Sequence, residues 1–236
     1  MAPIFARYPR LRTVTFTGVD ARTDLDRLRQ ISAAYPPGAI EWGVLYSIAR
    51  EGIEPRYPDL GWLDRWAFDE SHGLTTALHL CGPIAQAWIN EPDHDIQTLA
   101  RAFGRLQLNV VGDRTNLAAL RQAIAEGRHP YVLTQHHAGN APLTAALAGL
   151  PNHGVLFDGS GGRGQVPVTW PDRLVGTACG YAGGLGPATI REAADAIARA
   201  CPDQPYWLDM EQAVRTKDDA FDLDAVTAVL AALSVA

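Results

Sequence analysis

The chain has 236 residues, 47% of them hydrophobic and 19% charged, with a formal net charge of −6 at pH 7. That balance describes an ordinary globular chain long enough to bury a large core, and it excludes the basic stripe of a nucleic-acid binder. A phosphorylated small molecule is not excluded, because backbone N–H groups can bind anions locally on an acidic protein.

The opening "MAPIFARYPRLR" lacks an apolar stretch long enough for a secretory leader, and no later apolar run reaches membrane-spanning length. "RTVTFTG" (12–18) is the first strand-like run. Thr23 and Asp26 then make a capping-box pattern, Leu25, Leu28, Ile31 and Tyr35 follow at helical spacing, and Pro36-Pro37 stops the run. Further strand candidates are "IEWGVLYS" (40–47), "TTALHLCG" (75–82), "RLQLNVVG" (105–112), "PYVLTQH" (130–136), "GVLFD" (154–158), "LVGTACGYAGG" (174–184) and "PYWLDME" (205–211). Helical stripes lie between them at Ile96, Leu99 and Phe103 and at Leu117, Leu120 and Ile124. A third runs through Ile190, Ala194, Ile197 and Cys201, with Pro187 near its first turn. The last holds Leu223, Val226, Leu230 and Leu233, with Asp222 as N-cap.

Eight strands alternating with helices predict a parallel sheet with crossover helices, and in this length a single-domain (β/α)8 barrel over residues 1–236. An open doubly wound sheet is the runner-up. The sixth unit is the weakest, since only Pro171 to Leu174 remain for its helix. Trp62, Trp66 and Trp88 on outer helices offer a homodimer surface, although aromatics at such spacing are more often core. Cys81, Cys179 and Cys201 are an odd number at wide spacing, which fits neither a disulfide framework nor a zinc finger. The expected setting is reducing and cytoplasmic, with no cofactor.

Gly159, Gly161 and Gly164 match G-x-G-x-x-G after a strand. A dinucleotide fold needs a helix to follow at once, with an acid about twenty residues on. Here "QVPVTWP" follows, and no acid lies beside Gly180. The dinucleotide reading fails on context.

In such a barrel the chemistry sits at the C-terminal ends of the strands. Those ends supply Thr15 and Thr17, Tyr46 and Ser47, His79 and Cys81, Gln107 and Asn109, His136, Asp158, and Asp209 and Glu211. Residues two apart in a strand face the same way, so His79 and Cys81 share a face, as do Gln107 with Asn109 and Asp209 with Glu211. So many polar groups at one end of an apolar barrel would desolvate one another unless a ligand or water pocket accepts them.

At these positions the chain resembles phosphoribosylanthranilate isomerase. "HGVLFDGSGGRGQVPVTW" is similar to that family's sixth strand and loop, and "GYAGGLGPATIREA" to its seventh strand and phosphate loop. "YWLDMEQAVRTKDDAFDLDAV", "LQLNVVG", "VLYSIAREGIEPRYP" and "TFTG" parallel its eighth, fourth, second and first strand exits. The family's reaction is an Amadori rearrangement of a phosphorylated aminopentose. An acid opens the furanose ring to a Schiff base, and a base removes the C2 proton. By that resemblance Asp158 is the general acid and Arg56 contacts the substrate, while Gly161, Gly162, Gly164, Gly183 and Gly184 offer backbone N–H groups to phosphate.

The pattern departs at three places. Thr17 stands where the family has its basic Cys, Asn109 where it has a His, and Met210-Glu211-Gln212 where it has Ser-Ser-Gly. A Thr hydroxyl is too weak an acid to supply a base unaided, and Glu211 sets a carboxylate where phosphate would approach. The reading is therefore an acid–base isomerase of a small sugar or sugar-phosphate with altered specificity. Cys81 or His79 would replace the base, Cys81 with its thiol acidified by a neighbour such as His136. Two alternatives stay open. His79, His136, Asp158, Asp209 and Glu211 are ligand types that a divalent ion would accept, as in a metal-assisted lyase or hydrolase. A barrel that has lost its base would instead sense a small ligand without turnover.

Overall fold

The computed structural model describes residues 4–159 and 164–234. Eight parallel strands close into a barrel in sequence order: β1 (Leu11–Thr17), β2 (Ile40–Tyr46), β3 (Thr76–Cys81), β4 (Arg105–Asn109), β5 (Val132–His136), β6 (His153–Asp158), β7 (Ala178–Ala182) and β8 (Tyr206–Met210). Each falls within a residue or two of its expected run except β4, which ends three residues early, and β7, which occupies only 178–182 of 174–184. Gly176 and its neighbours form a turn before it.

The helices are α1 (Leu25–Ala33), α2 (Leu60–Arg65), α3 (Pro83–Asn90), α4 (Ile96–Arg101), α5 (Leu117–Ala125), α6 (Ala141–Ala146), α7 (Ile190–Ala200) and α8 (Leu223–Ser234). The first cap differs from expectation. Asp24, not Thr23, accepts the N–H groups of Asp26 and Arg27, while the Thr23 hydroxyl accepts from Asp20 N. Asp222 does cap α8, accepting from Asp224 N and Ala225 N. Two helices follow β3, and among the described residues none follows β6. There an irregular chain carries Trp170 onto Tyr181, edge to face with centroids 6.2 Å apart.

The main core lies between the barrel and its helices. Trp66 and Trp88 are fully buried and Trp62 is 5% exposed, stacking on Trp66 at 5.4 Å. The three tryptophans therefore pack within the subunit and offer no dimer surface. Desolvating each such ring is worth more than leaving it on an exposed face.

Inside the barrel the strands alternate, and one side is apolar. Leu133, Leu156 and Trp207 form their own cluster there. Gly180 makes it possible, since a Cβ at that position would lie 2.0 Å from the Trp207 ring. The other side is polar. Arg105 donates to Glu41 (2.7 Å) and Thr15 (2.8 Å), Thr15 donates to Glu41 (2.9 Å), and the Arg105 guanidinium lies 4.9 Å over the Trp207 ring. This ionic plug forms a floor beneath the C-terminal mouth. Among the described residues no helix is long and apolar enough to cross a membrane.

Candidate active site

Strand alternation decides which polar residues reach the mouth. Thr17, His79, Gln107, Asn109, Asp158, Asp209 and Glu211 line one cavity of about 60 Å³, with Gln135, Gly164, Gly183 and Gly184. Asn109, Gln135, Glu211 and Gln212 also line an adjoining basin of about 670 Å³ over β2 and β3, together with Arg56, Tyr57 and Cys81. The inner cavity holds only a few waters, and the two together reach the size of a small-molecule site.

His136 is turned away from this mouth. Its Nδ1 pairs with the Thr144 hydroxyl at 2.8 Å, and its ring meets Phe157 edge to face at 5.3 Å. It therefore neither binds at the cavity nor acidifies Cys81. The neighbouring Gln135 takes the inward place, in phase with Leu133. Tyr46 is likewise packed in the outer core. The period-2 pattern of "VLTQH" carried the signal for Gln135. Gly161 and Gly162 lie outside the described residues.

Asp209 is buried among these groups. Thr17 donates its hydroxyl to Asp209 Oδ1 at 2.8 Å, while Oδ2 is buried with no hydrogen-bond partner. Burial pushes this carboxyl up to about 7, with Glu41 and Glu211 adding to the rise and the Thr17 hydrogen bond and Arg105 opposing it. His79 Nε2 stands 3.9 Å from Oδ2, too far for a hydrogen bond, and is also unpaired. Burial and then the Arg105 charge push the imidazole down to about 3, so His79 is neutral at physiological pH and the pair is not an ion pair.

Cys81 is held as a thiol. Burial drives it up to about 11 even though Asn109 Nδ2 donates to its Sγ at 3.1 Å, and Asn109 Oδ1 in turn accepts from Gln107 at 2.9 Å. It has little thiolate to offer as a base near neutrality. With His79 so weakly basic as well, the buried carboxyl in the described lining with an unpaired oxygen is Asp209.

Arg56 closes the rim. Its guanidinium grips Asp219 through Nε and Nη2 (2.5 to 3.2 Å) and donates to Glu211 Oε1 at 2.6 Å. Arg215 completes the network with Asp219 (2.7 Å) and Asp20 (2.8 Å). Burial works to raise Asp219, and the two guanidiniums outweigh it, so that carboxyl lies below its ordinary range. Burial raises Glu211, Arg56 opposes this, and Asp158 adds to it.

Gly183 and Gly184 both have positive φ, and the segment after the β6 loop packs onto them. A Cβ at Gly184 would lie 2.5 Å from Val166 N, and one at Gly183 would lie 3.0 Å from Gln165 O and 3.7 Å from Asp158 Oδ1. Gly164 is packed on the Gln212 side chain in the same way. The described residues hold no group of three or more His, Cys, Asp or Glu placed to share a metal ion.

Fold and site together define a (β/α)8 barrel with a carboxyl-rich mouth at the C-terminal ends of its strands. No protein-family model matches the chain, and no curated protein does. Solved structures do. Phosphoribosyl anthranilate isomerase from Thermotoga maritima matches with a TM-score of 0.59 at 16% identity, over 94% of this chain and 98% of that one. TrpF from Jonesia denitrificans gives 0.63 at 18%, over 94% and 96%. The Thermus thermophilus phosphoribosyl anthranilate isomerase gives 0.60 at 18%, over 94% and 98%. The chain thus has the fold of the phosphoribosylanthranilate isomerases along nearly its whole length, and identities this low speak to the fold alone.

Proposed function

We propose that the protein is an acid–base isomerase that interconverts aldose and ketose forms of a small sugar-like substrate. The observation that carries this reading is Asp209, tied at one oxygen by Thr17, with its other oxygen buried and unpaired in the cavity that Asp158 also lines. A carboxyl that titrates near 7 is matched to proton transfer at neutral pH. Asp209 takes the C2 proton, and the C–H electron pair forms a C1–C2 double bond. As the C1–O π pair moves onto its oxygen, Asp158 protonates that oxygen; C1 of the resulting enediol then takes the proton back from Asp209 while the 2-hydroxyl gives its proton to Asp158, leaving the ketose. Thr17, at the position of the family's basic Cys, becomes the residue that fixes Asp209. The barrel-isomerase fold of the solved relatives supports the reaction class.

Ketose formation from a panel of aldoses, aminoaldoses and phosphoribosylanthranilate, followed by NMR, tests it. Turnover by the wild type that falls about 10²- to 10⁴-fold in both Asp158→Asn and Asp209→Asn supports the assignment. Turnover unchanged in both variants sinks it.

A further inference from the structure

We propose that this site takes an unphosphorylated, donor-rich ligand, a polyol or amino sugar, and selects against its phosphate ester. The inference rests on the isomerase reading for its location, but its argument and its test concern binding alone.

Charge is the first ground. The described residues of the inner cavity include Asp158, Asp209 and Glu211 and no Lys or Arg. Two cations line the adjoining basin: Arg50, which is half exposed and pairs with Glu54 and the Tyr57 hydroxyl, and Arg56, which is already committed to two carboxylates, Asp219 and Glu211. A phosphate could recruit Arg56 only by leaving Glu211 buried without its partner. Bringing a dianion beside such a carboxylate adds like-charge repulsion in a poorly solvated place.

Space is the second. The Gly183–Gly184 turn, where the resemblance would seat a phosphate, opens on a cavity of only about 60 Å³. On its Cα side it is packed by the chain's own residues 165–167, with the Gln165 carbonyl oxygen nearest to Gly183 and the Asp158 carboxylate close by.

The unsatisfied atoms are the third. His79, Gln107 and Asp209 are each 4% exposed or less, and among the described residues His79 Nε2, Gln107 Oε1 and Asp209 Oδ2 have no hydrogen-bond partner. Gln107 Oε1 is an acceptor only, and ionised Asp209 adds another. Buried acceptors left open cost stability unless donors fill them; sugar hydroxyls or an ammonium supply donors, and esterification removes one hydroxyl donor and adds acceptors only.

Isothermal titration of the intact protein with matched pairs decides the matter. The pairs are ribose against ribose 5-phosphate and glucosamine against glucosamine 6-phosphate, with inorganic phosphate alone as a further probe. The parent sugar of at least one pair is expected to bind about tenfold or more tighter than its ester. Ribose separates a neutral polyol ligand from the cationic glucosamine. Glu211→Gln, which keeps the shape and removes the charge, is expected to narrow the gap. Esters that bind as well as their parents in the wild type, measurable binding of inorganic phosphate, or a gap unchanged by Glu211→Gln would overturn the proposal. If turnover is absent while the parent sugars still outbind their esters, the catalytic reading falls and this one stands.

Discussion

Replacing Asp209 by Asn removes one titrating proton and little else, because Asn retains the acceptor that Thr17 addresses. The native carboxyl is raised from 3.8 to about 7, so the folded state holds its proton over a pH range in which the unfolded state has lost it. A raised group contributes its stability below the unfolded value and loses it as pH climbs through the folded one. The whole effect is about 4 kcal/mol, of which about 2.5 kcal/mol falls between pH 5 and 8. Wild-type stability alone does not isolate it, since burial lowers His79 to about 3 and His153 to about 4. Those histidines stay neutral in the fold, and their contribution is lost as pH falls below about 6.5, the opposite sign. Subtracting the Asp209→Asn curve cancels them. Urea unfolding of both proteins across pH 5 to 8 should show the wild type losing ground to the variant as pH rises, then levelling off above 7. A difference that stays constant across the range would mean that Asp209 is ionised throughout, and the acid–base role would lose its foundation.

Other expectations follow from the same geometry. Gly180→Ala should destabilise the barrel by about 1–3 kcal/mol or more, because its Cβ would meet the Trp207 ring, and Trp207→Leu should recover much of that loss in thermal unfolding. Arg105→Met leaves Glu41 buried without its partner and should cost about 3–5 kcal/mol in chemical denaturation. Native Cys81 should react with a thiol-alkylating reagent at pH 8 far more slowly than the urea-unfolded chain, given a thiol pushed up to about 11. Rapid labelling of native Cys81 would return it to consideration as the base.

The eight strands were legible because each apolar run is bounded by Gly, Pro or polar residues and separated by helical stripes. Helices α2, α3 and α6 were not, for physical reasons. They are six to eight residues long, α3 begins on Pro83, and α6 has Pro142 in its first turn. At the site, spacing of two placed Gln107 with Asn109 and Asp209 with Glu211 on the mouth. The same rule, applied from Leu133, points to Gln135 and away from His136. Partners across the barrel were beyond the sequence. Nothing local says that Thr17 reaches Asp209, 192 positions away, that Arg56 is held by Glu211 and Asp219, or that Glu41 and Arg105 meet within the barrel. Those pairings are why we propose Asp209 rather than Cys81 as the base.

Exchange of the substrate C2 hydrogen with solvent deuterium, followed by proton NMR, tests the central claim most directly, because it reads the base without requiring the full turnover. The wild type should catalyse exchange with at least one aldose or amino sugar, with a rate that rises to a plateau around pH 7. Cys81→Ala should preserve it and Asp209→Asn should abolish it. Exchange that survives in Asp209→Asn and disappears in Cys81→Ala would contradict the account.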